Sequence, residues 1–364
     1  MKAIAILTTL FFSLIAQAQD PLPHEPSPER MREISEHNQQ QSLFEPFFSS
    51  RAQKATRPFA EYEKTGYLFF DDDDYRGYAK EIKRTLAENL PEGVTLVVYS
   101  TSRNQNYLAQ LKSRYSQYID DSRLMILQVP RSGSNSFWTR DSLPIPVWNQ
   151  QDMSLVDARY YYNFEPDQFI ANLFSVDLSS HQYFFEGGNF ITNSKGDCIV
   201  VNRRRSYPGG ISDTAAIPDS IFYNQYGCQK LIRFKHLKGI GHSDEVVKFM
   251  SDNIIVTDTE EYVKTLEDEG YEVVLLPEPD RRYETYVNSL QVNDVLFVPV
   301  FGESHDQKAV QAYEDLDLGL KIVTIPTRLL ATRGQGGIHC ITMNYPPANI
   351  QALVSAMGGR LIEE

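Results

Sequence analysis

The sequence predicts one α/β domain over residues 59–364, and three observations carry that expectation. Short apolar runs of strand length alternate with stretches of helical periodicity along this span. No low-complexity linker and no repeat of fixed period divides it. The chain of 364 residues is 41% hydrophobic and 23% charged, with 12% aromatic residues to fill a core, as globular chains are.

Taken in order, residues 1–18 read as a secretory signal. Lys2 supplies the positive start, AIAILTTLFFSLIA the apolar stretch, and Ala16, Gln17 and Ala18 a small-x-small cleavage site. The apolar stretch is short of the roughly 20 residues that a membrane span needs. No cysteine follows the cleavage site to take a lipid. The expectation is a secreted or periplasmic protein with no span once the signal is removed. Residues 19–58 are polar and proline-bearing, and predict an extended segment with one short helix on the outside.

The stretch YRGYAKEIKRTLAENL puts Tyr78, Ile82, Leu86 and Leu90 on one helical face. GVTLVVYS and RLMILQVP are strand-length runs with the helical RNQNYLAQLKSRYSQYI between them. Further strands are predicted at 153–162, 183–193, 198–202, 247–257, 272–276, 294–300 and 321–326, and further helices at 217–226, 259–269, 306–317 and 350–357. The acidic run Asp71–Asp74 reads as a solvated turn before a helix. The basic run Arg203–Arg205 reads as a surface turn.

A net charge of −13 argues against unspecific nucleic-acid binding, which needs a basic face. Three cysteines in an exported chain leave at least one unpaired in the molecule; Cys198 and Cys228 are the candidates for a disulfide. Cys340 stands apart, at the end of the glycine-rich RGQGGIHC.

Four stretches set a reactive side chain beside glycine or at the end of an apolar run. They are FWTRDSLP with Trp138, Arg140 and Asp141; FFEGGNF with Glu186 and Asn189; GIGHSDEVVKF with His242 and Asp244; and GGIHC with Cys340. Each has a plain reading: a buried thiol, a local ion pair, a hairpin turn, a polar strand face. Together they hold a thiol nucleophile, a general acid/base and carboxylates for a cation. Zinc held by His242, Asp244 and Cys340 is the rival, but the chain lacks His-Glu-x-x-His and Cys-x-x-Cys, so no metal and no cofactor is expected. A serine hydrolase is disfavoured, because Gly-x-Ser-x-Gly is absent.

In this order and spacing, Trp138-Thr139-Arg140-Asp141, Glu186-Gly187-Gly188-Asn189, Gly241-His242-Ser243-Asp244 and Gly336-Gly337-Ile338-His339-Cys340-Ile341-Thr342 resemble the guanidine-modifying (pentein) superfamily, and within it the agmatine deiminase and bacterial peptidylarginine deiminase family. The resemblance implies a pentein-type α/β propeller of five ββαβ units about a pseudo-fivefold axis, with the site in its central channel. It assigns Cys340 as nucleophile, His242 as acid and base, and Asp141 and Asp244 as the guanidinium clamp. Glu186 would support the site with Trp138, Arg140 and Asn189, and Asn288 of YVNSL would line it.

The activity so implied is hydrolysis of peptidyl-arginine to citrulline and ammonia through a thiouronium on Cys340. The alternative is an agmatine deiminase giving N-carbamoylputrescine. Partners would be arginine-containing peptides or small guanidines. Two stretches depart from the family pattern. Phe164, Glu165 and Pro166 stand where exported relatives carry arginines for a terminal carboxylate, which predicts little preference for C-terminal arginine. In Arg140-Asp141-Ser142-Leu143-Pro144, Leu143 stands where the family's Arg-Asp-x-Gly-Pro has Gly.

Overall fold

The computed structural model describes residues 24–44, 55–204, 210, 212–348 and 350. Its strands form five sheets. The same pattern recurs in each: two strands pair antiparallel, and the strand after the next helical segment joins the second of them in parallel. Ile145–Asn149 pairs antiparallel with Asp152–Arg159, which takes Leu178–Phe184 in parallel after helix Asp167–Phe174. Ile191–Thr192, Asp197–Asn202 and Lys230–Lys235 repeat this. So do Val247–Phe249, Ile254–Thr257 and Glu272–Leu275 around helix Glu260–Asp268, and Leu290–Val292, Val295–Val300 and Lys321–Pro326 around helix Asp306–Glu314.

The fifth sheet is assembled from both ends of the domain. The late strand Met343–Tyr345 pairs antiparallel with Tyr67–Asp71, which pairs in parallel with Thr95–Ser100 across helix Lys80–Glu88. Leu124–Gln128 then extends the sheet after helix Gln105–Tyr115. This pairing closes the succession of five ββαβ units. The result is the pentein-type α/β architecture that the motifs imply.

The strands bury hydrophobic runs because helices cover them. In helix Lys80–Glu88 the face Ile82, Leu86 and Ala87 is buried, against a core that includes Leu68, Phe70, Leu96 and Val98. Helix Gln105–Tyr115 begins at Asn104, whose side chain accepts from the backbone N–H of Asn106 and Tyr107, a cap worth about 1 kcal/mol.

Several expectations are corrected. The segment 183–193 is no continuous strand: Gly187–Asn189 is a 3₁₀ turn, because Glu186-Gly-Gly-Asn bends into the centre. The segment 247–257 is a hairpin. His-Ser-Asp is not on a strand, since Ser243–Glu245 is another 3₁₀ turn. The N-terminal segment holds a 17-residue helix, Pro28–Phe44, not a short one. That helix is fastened to the domain: Asn38 exchanges hydrogen bonds with both backbone groups of Phe184, and Ile34 is fully buried. The acidic run is not fully solvated. Asp71 is buried and accepts from Ser136, while Lys83 donates to the carbonyls of Asp71 and Asp73. The signal segment lies outside the described residues, as does the predicted helix 350–357 beyond its first residue. Among the described residues no helix is long and apolar enough to cross a membrane.

Cys198 and Cys228 form a disulfide with their Cα atoms 5.8 Å apart, closing a sequence separation of 30. The chain-entropy account gives about 3–4 kcal/mol for such a loop. A Cys198→Ala/Cys228→Ala double variant is expected to lose that much in denaturant unfolding. Unchanged stability would mean that the unfolded chain is already constrained there.

Candidate active site

Every motif singled out in the sequence lies immediately before the first strand of a unit. Trp138 to Ser142 precede Ile145–Asn149, and Glu186 to Asn189 precede Ile191–Thr192. His242 to Glu245 precede Val247–Phe249, Thr285 to Ser289 precede Leu290–Val292, and Ile338 to Thr342 precede Met343–Tyr345. The repeated topology therefore delivers five loops to one centre. Glycine lets them approach. A Cβ on Gly188 would stand 2.8 Å from both Asp141 Oδ1 and His242 Nδ1, and one on Gly337 would stand 2.5 Å from Asn288 Oδ1. None of these three atoms can back away without losing its place in the cluster.

Asp141, His242 and Asp244 surround a slot. Asp141 Oδ1 lies 3.7 Å from His242 Nδ1 and accepts from the backbone N–H of Gly188 at 2.9 Å. Asp244 Oδ1 lies 4.0 Å from the same imidazole nitrogen. His242 Nδ1 and Asp244 Oδ1 are buried with no hydrogen-bond partner among the described residues. Buried polar atoms are normally satisfied, so these two are left free to bond a polar ligand. Behind His242, Glu186 Oε2 is 3.0 Å from Nε2 and 2.8 Å from Arg203, which also contacts Nε2. Burial holds the imidazole well below its usual range, and the charge of Arg203 adds to this, so His242 rests neutral.

Cys340 is fully buried. Its Sγ lies 3.2 Å from Asn288 Nδ2 and 3.8 Å from Asp244 Oδ2. Asn288 joins this loop to the His242–Glu245 turn, accepting from the N–H of His339 and donating to the carbonyl of Asp244. Burial pushes the thiol well above its ordinary value, and Asp244, Glu245 and Asp141 add to the effect. His339 fixes Asp244 from the other side: Nδ1 is 2.7 Å from Asp244 Oδ2, and Nε2 is 2.6 Å from Glu61. Burial opposes the charge on Glu61, but Lys248 and His339 overcome it and hold the carboxyl well below its usual range. A cavity of about 40 Å³ lined by Glu61, Arg140, Lys248 and His339 borders that end of the chain of contacts.

The other predicted residues are near the centre but face differently. Arg140 turns its guanidinium to Met343 and Asn344, so it braces the closing strand and does not line the slot. Asn189 joins Val201, Thr214 and Ser243, binding the Glu186 turn to the His242 turn. Trp138 walls the slot with its indole face.

Sequence reasoning missed Arg203, His339, Glu61 and His24. Arg203 lies in the basic run whose sequence predicts a surface turn, yet it is buried against Glu186. His339 stood inside a quoted motif, next to the thiol, and its proximity was the available signal. Nothing in the sequence pointed to Glu61 or His24. The polar N-terminal segment was expected on the outside, yet His24 is fully buried and hydrogen-bonded to Asp141. The ligand-type atoms of His24, Asp141 and His242 lie within 4.8 Å of one another. That grouping differs from the one considered from sequence. At Phe164–Pro166, Phe164 is buried and Glu165 is exposed.

The family model for Porphyromonas-type peptidyl-arginine deiminases matches residues 69–346. An agmatine-deiminase-type protein of Legionella pneumophila is 25% identical over 265 residues, 59% of this chain and 74% of that protein. The fold superposes on an agmatine deiminase of C. jejuni with substrate bound at a TM-score of 0.65 and 17% identity, covering 80% of this chain and 96% of the other. An arginine-deiminase-type protein of Porphyromonas gingivalis gives 0.62 at 19% identity, covering 79% and 97%. Because the family match runs from the first strand of the closing sheet to its last, through all five central loops, the chain belongs to the Porphyromonas-type peptidyl-arginine deiminase family and is a hydrolase of guanidine C–N bonds.

Proposed function

We propose that this protein is an exported deiminase converting arginine residues of peptides to citrulline and ammonia. The observation that carries the chemistry is the convergence of Asp141, Asp244, His242 and Cys340 on one buried slot against Trp138. A guanidinium is planar and cationic, and two carboxylates can take its N–H groups while an aromatic face covers it. Nδ1 of His242 faces the slot as a base when Nε2 carries the ring proton and donates it to Glu186, with Arg203, a donor only, bonded to Glu186 rather than to that nitrogen. The arriving cation offsets the carboxylates that hold the thiol neutral. The Cys340 proton then passes to His242 Nδ1, and Sγ bonds to the guanidine carbon. The same proton leaves on the departing ammonia as the C–N bond breaks. His242 next deprotonates the water that hydrolyses the thiouronium, and Cys340 is released with the ureido product.

Export is supported by the signal-like residues 1–18 and by the Cys198–Cys228 disulfide, since such bonds persist in oxidising compartments. An exported enzyme meets peptides, which favours peptidyl-arginine over agmatine. The test is parallel turnover of benzoyl-arginine amide, free arginine and agmatine, counting ureido product and ammonia. The blocked amide is expected to be the best of the three. Agmatine turned over far faster would assign the chain to small guanidines, a reading favoured by the names of its relatives. No turnover of any guanidine would refute deimination.

A further inference from the structure

We propose that the segment around His24 is an intramolecular inhibitor that fills the guanidine slot and must leave before substrate enters. This rests on the slot being a guanidine site. The His24 ring is fully buried and lies on Trp138 with centroids 4.1 Å apart and planes 9° apart. It meets His242 edge-on at 5.1 Å. Its Nε2 is hydrogen-bonded to Asp141 Oδ2. A flat nitrogenous ring stacked on the indole and joined to the clamp carboxylate makes the contacts that a guanidinium would make. Ring and guanidinium cannot share the face of Trp138.

The segment is held by few bonds. His24 N–H donates to the Gly334 carbonyl, and Glu25 N–H donates to Gln335 Oε1. The Glu25 carboxylate accepts from Tyr283 at 2.7 Å and pairs with Arg282 at 3.3 Å. That pair is exposed, with side chains 56% and 36% accessible, and pairs of this kind contribute little. The helix that anchors the segment begins at Pro28, so release moves only a short strap ahead of it. His24 is also an imperfect ligand: its Nδ1 is buried without a partner among the described residues. A guanidinium offers five N–H donors to the same acceptors and displaces it.

An occupant that competes with substrate reduces apparent affinity by the fraction of open molecules, without altering turnover at saturation. The experiment uses the full mature chain, His24→Ala and, as a gentler variant, Glu25→Gln. Alkylation of Cys340 by iodoacetamide, which is neutral and needs no guanidine recognition, is followed by mass spectrometry. The expected result is alkylation about tenfold faster in His24→Ala, a smaller gain in Glu25→Gln, and KM lowered by a like factor with kcat unchanged. Alkylation as fast in the wild type as in both variants overturns the proposal. So does a fall in kcat at constant KM, which would make His24 a participant in the chemistry. Acceleration of the wild type by EDTA alone also overturns it, since a metal on His24, Asp141 and His242 would then close the site. Faster alkylation in a protein that turns over no guanidine would leave the strap standing and remove the deiminase reading.

Discussion

Replacing Cys340 by serine is expected to lower kcat/KM on every guanidine by about three orders of magnitude or more, with the thermal unfolding midpoint nearly unchanged. Cys340 is the unpaired cysteine among the described residues, and it sits where Asp244, Asn288 and His339 meet. Serine keeps the shape of the side chain but is a far weaker nucleophile, and the buried carboxylates that raise the thiol would oppose an alkoxide more strongly. Activity within tenfold of the wild type would sink covalent catalysis.

The protonation states add a second measurement on the same group. The resting pair is thiol and neutral imidazole. His242 takes a proton only well below the ordinary imidazole value of 6.5, and Cys340 loses one only well above 9.0. The free enzyme therefore keeps its productive form across the interval between those values, and kcat/KM should be level there. An acid limb centred near neutrality that persists in His24→Ala would show that His242 does not rest as the neutral base.

The five-unit architecture was legible only through the family resemblance of the motifs; the structure adds that each unit carries its chemistry at one position, the loop before its first strand. That loop is marked by glycine where another chain must come close, as Gly188 and Gly337 do. The strand-helix alternation was visible for the same reason that it folds: apolar runs covered by amphipathic helices such as Lys80–Glu88. What stayed hidden has physical causes too. Ile191–Thr192 and Leu290–Val292 are too short for periodicity to register. Arg203 looks like any basic turn until Glu186, distant in sequence, is folded against it. Glu61 acquires meaning only through Lys248 and His339, two other units away. His24 sits in a polar, proline-bearing stretch whose composition suits solvent. Trp138 and Asp141, over a hundred residues on, explain its burial.

The two clamp aspartates should respond alike in turnover and differ in access to the thiol. Asp141→Asn and Asp244→Asn are each expected to lower kcat/KM by about 10²-fold or more on all guanidines. Each removes a charge-assisted pair worth roughly 1.5–3 kcal/mol per hydrogen bond and places a donor where an acceptor is needed. Their neighbours differ. Asp141 holds His24, so its loss frees the strap, and iodoacetamide should modify Cys340 faster although catalysis has fallen. Asp244 holds His339, which is in turn held by Glu61, and leaves the His24 contact intact; its loss makes the thiol more acidic, so the comparison uses the limiting alkylation rate of the fully ionised thiol, which should change little. Near-normal kinetics in either variant would make that aspartate structural. Equal alkylation in Asp141→Asn and the wild type would show that Asp141 is no anchor for the strap, and that its role lies with the substrate alone.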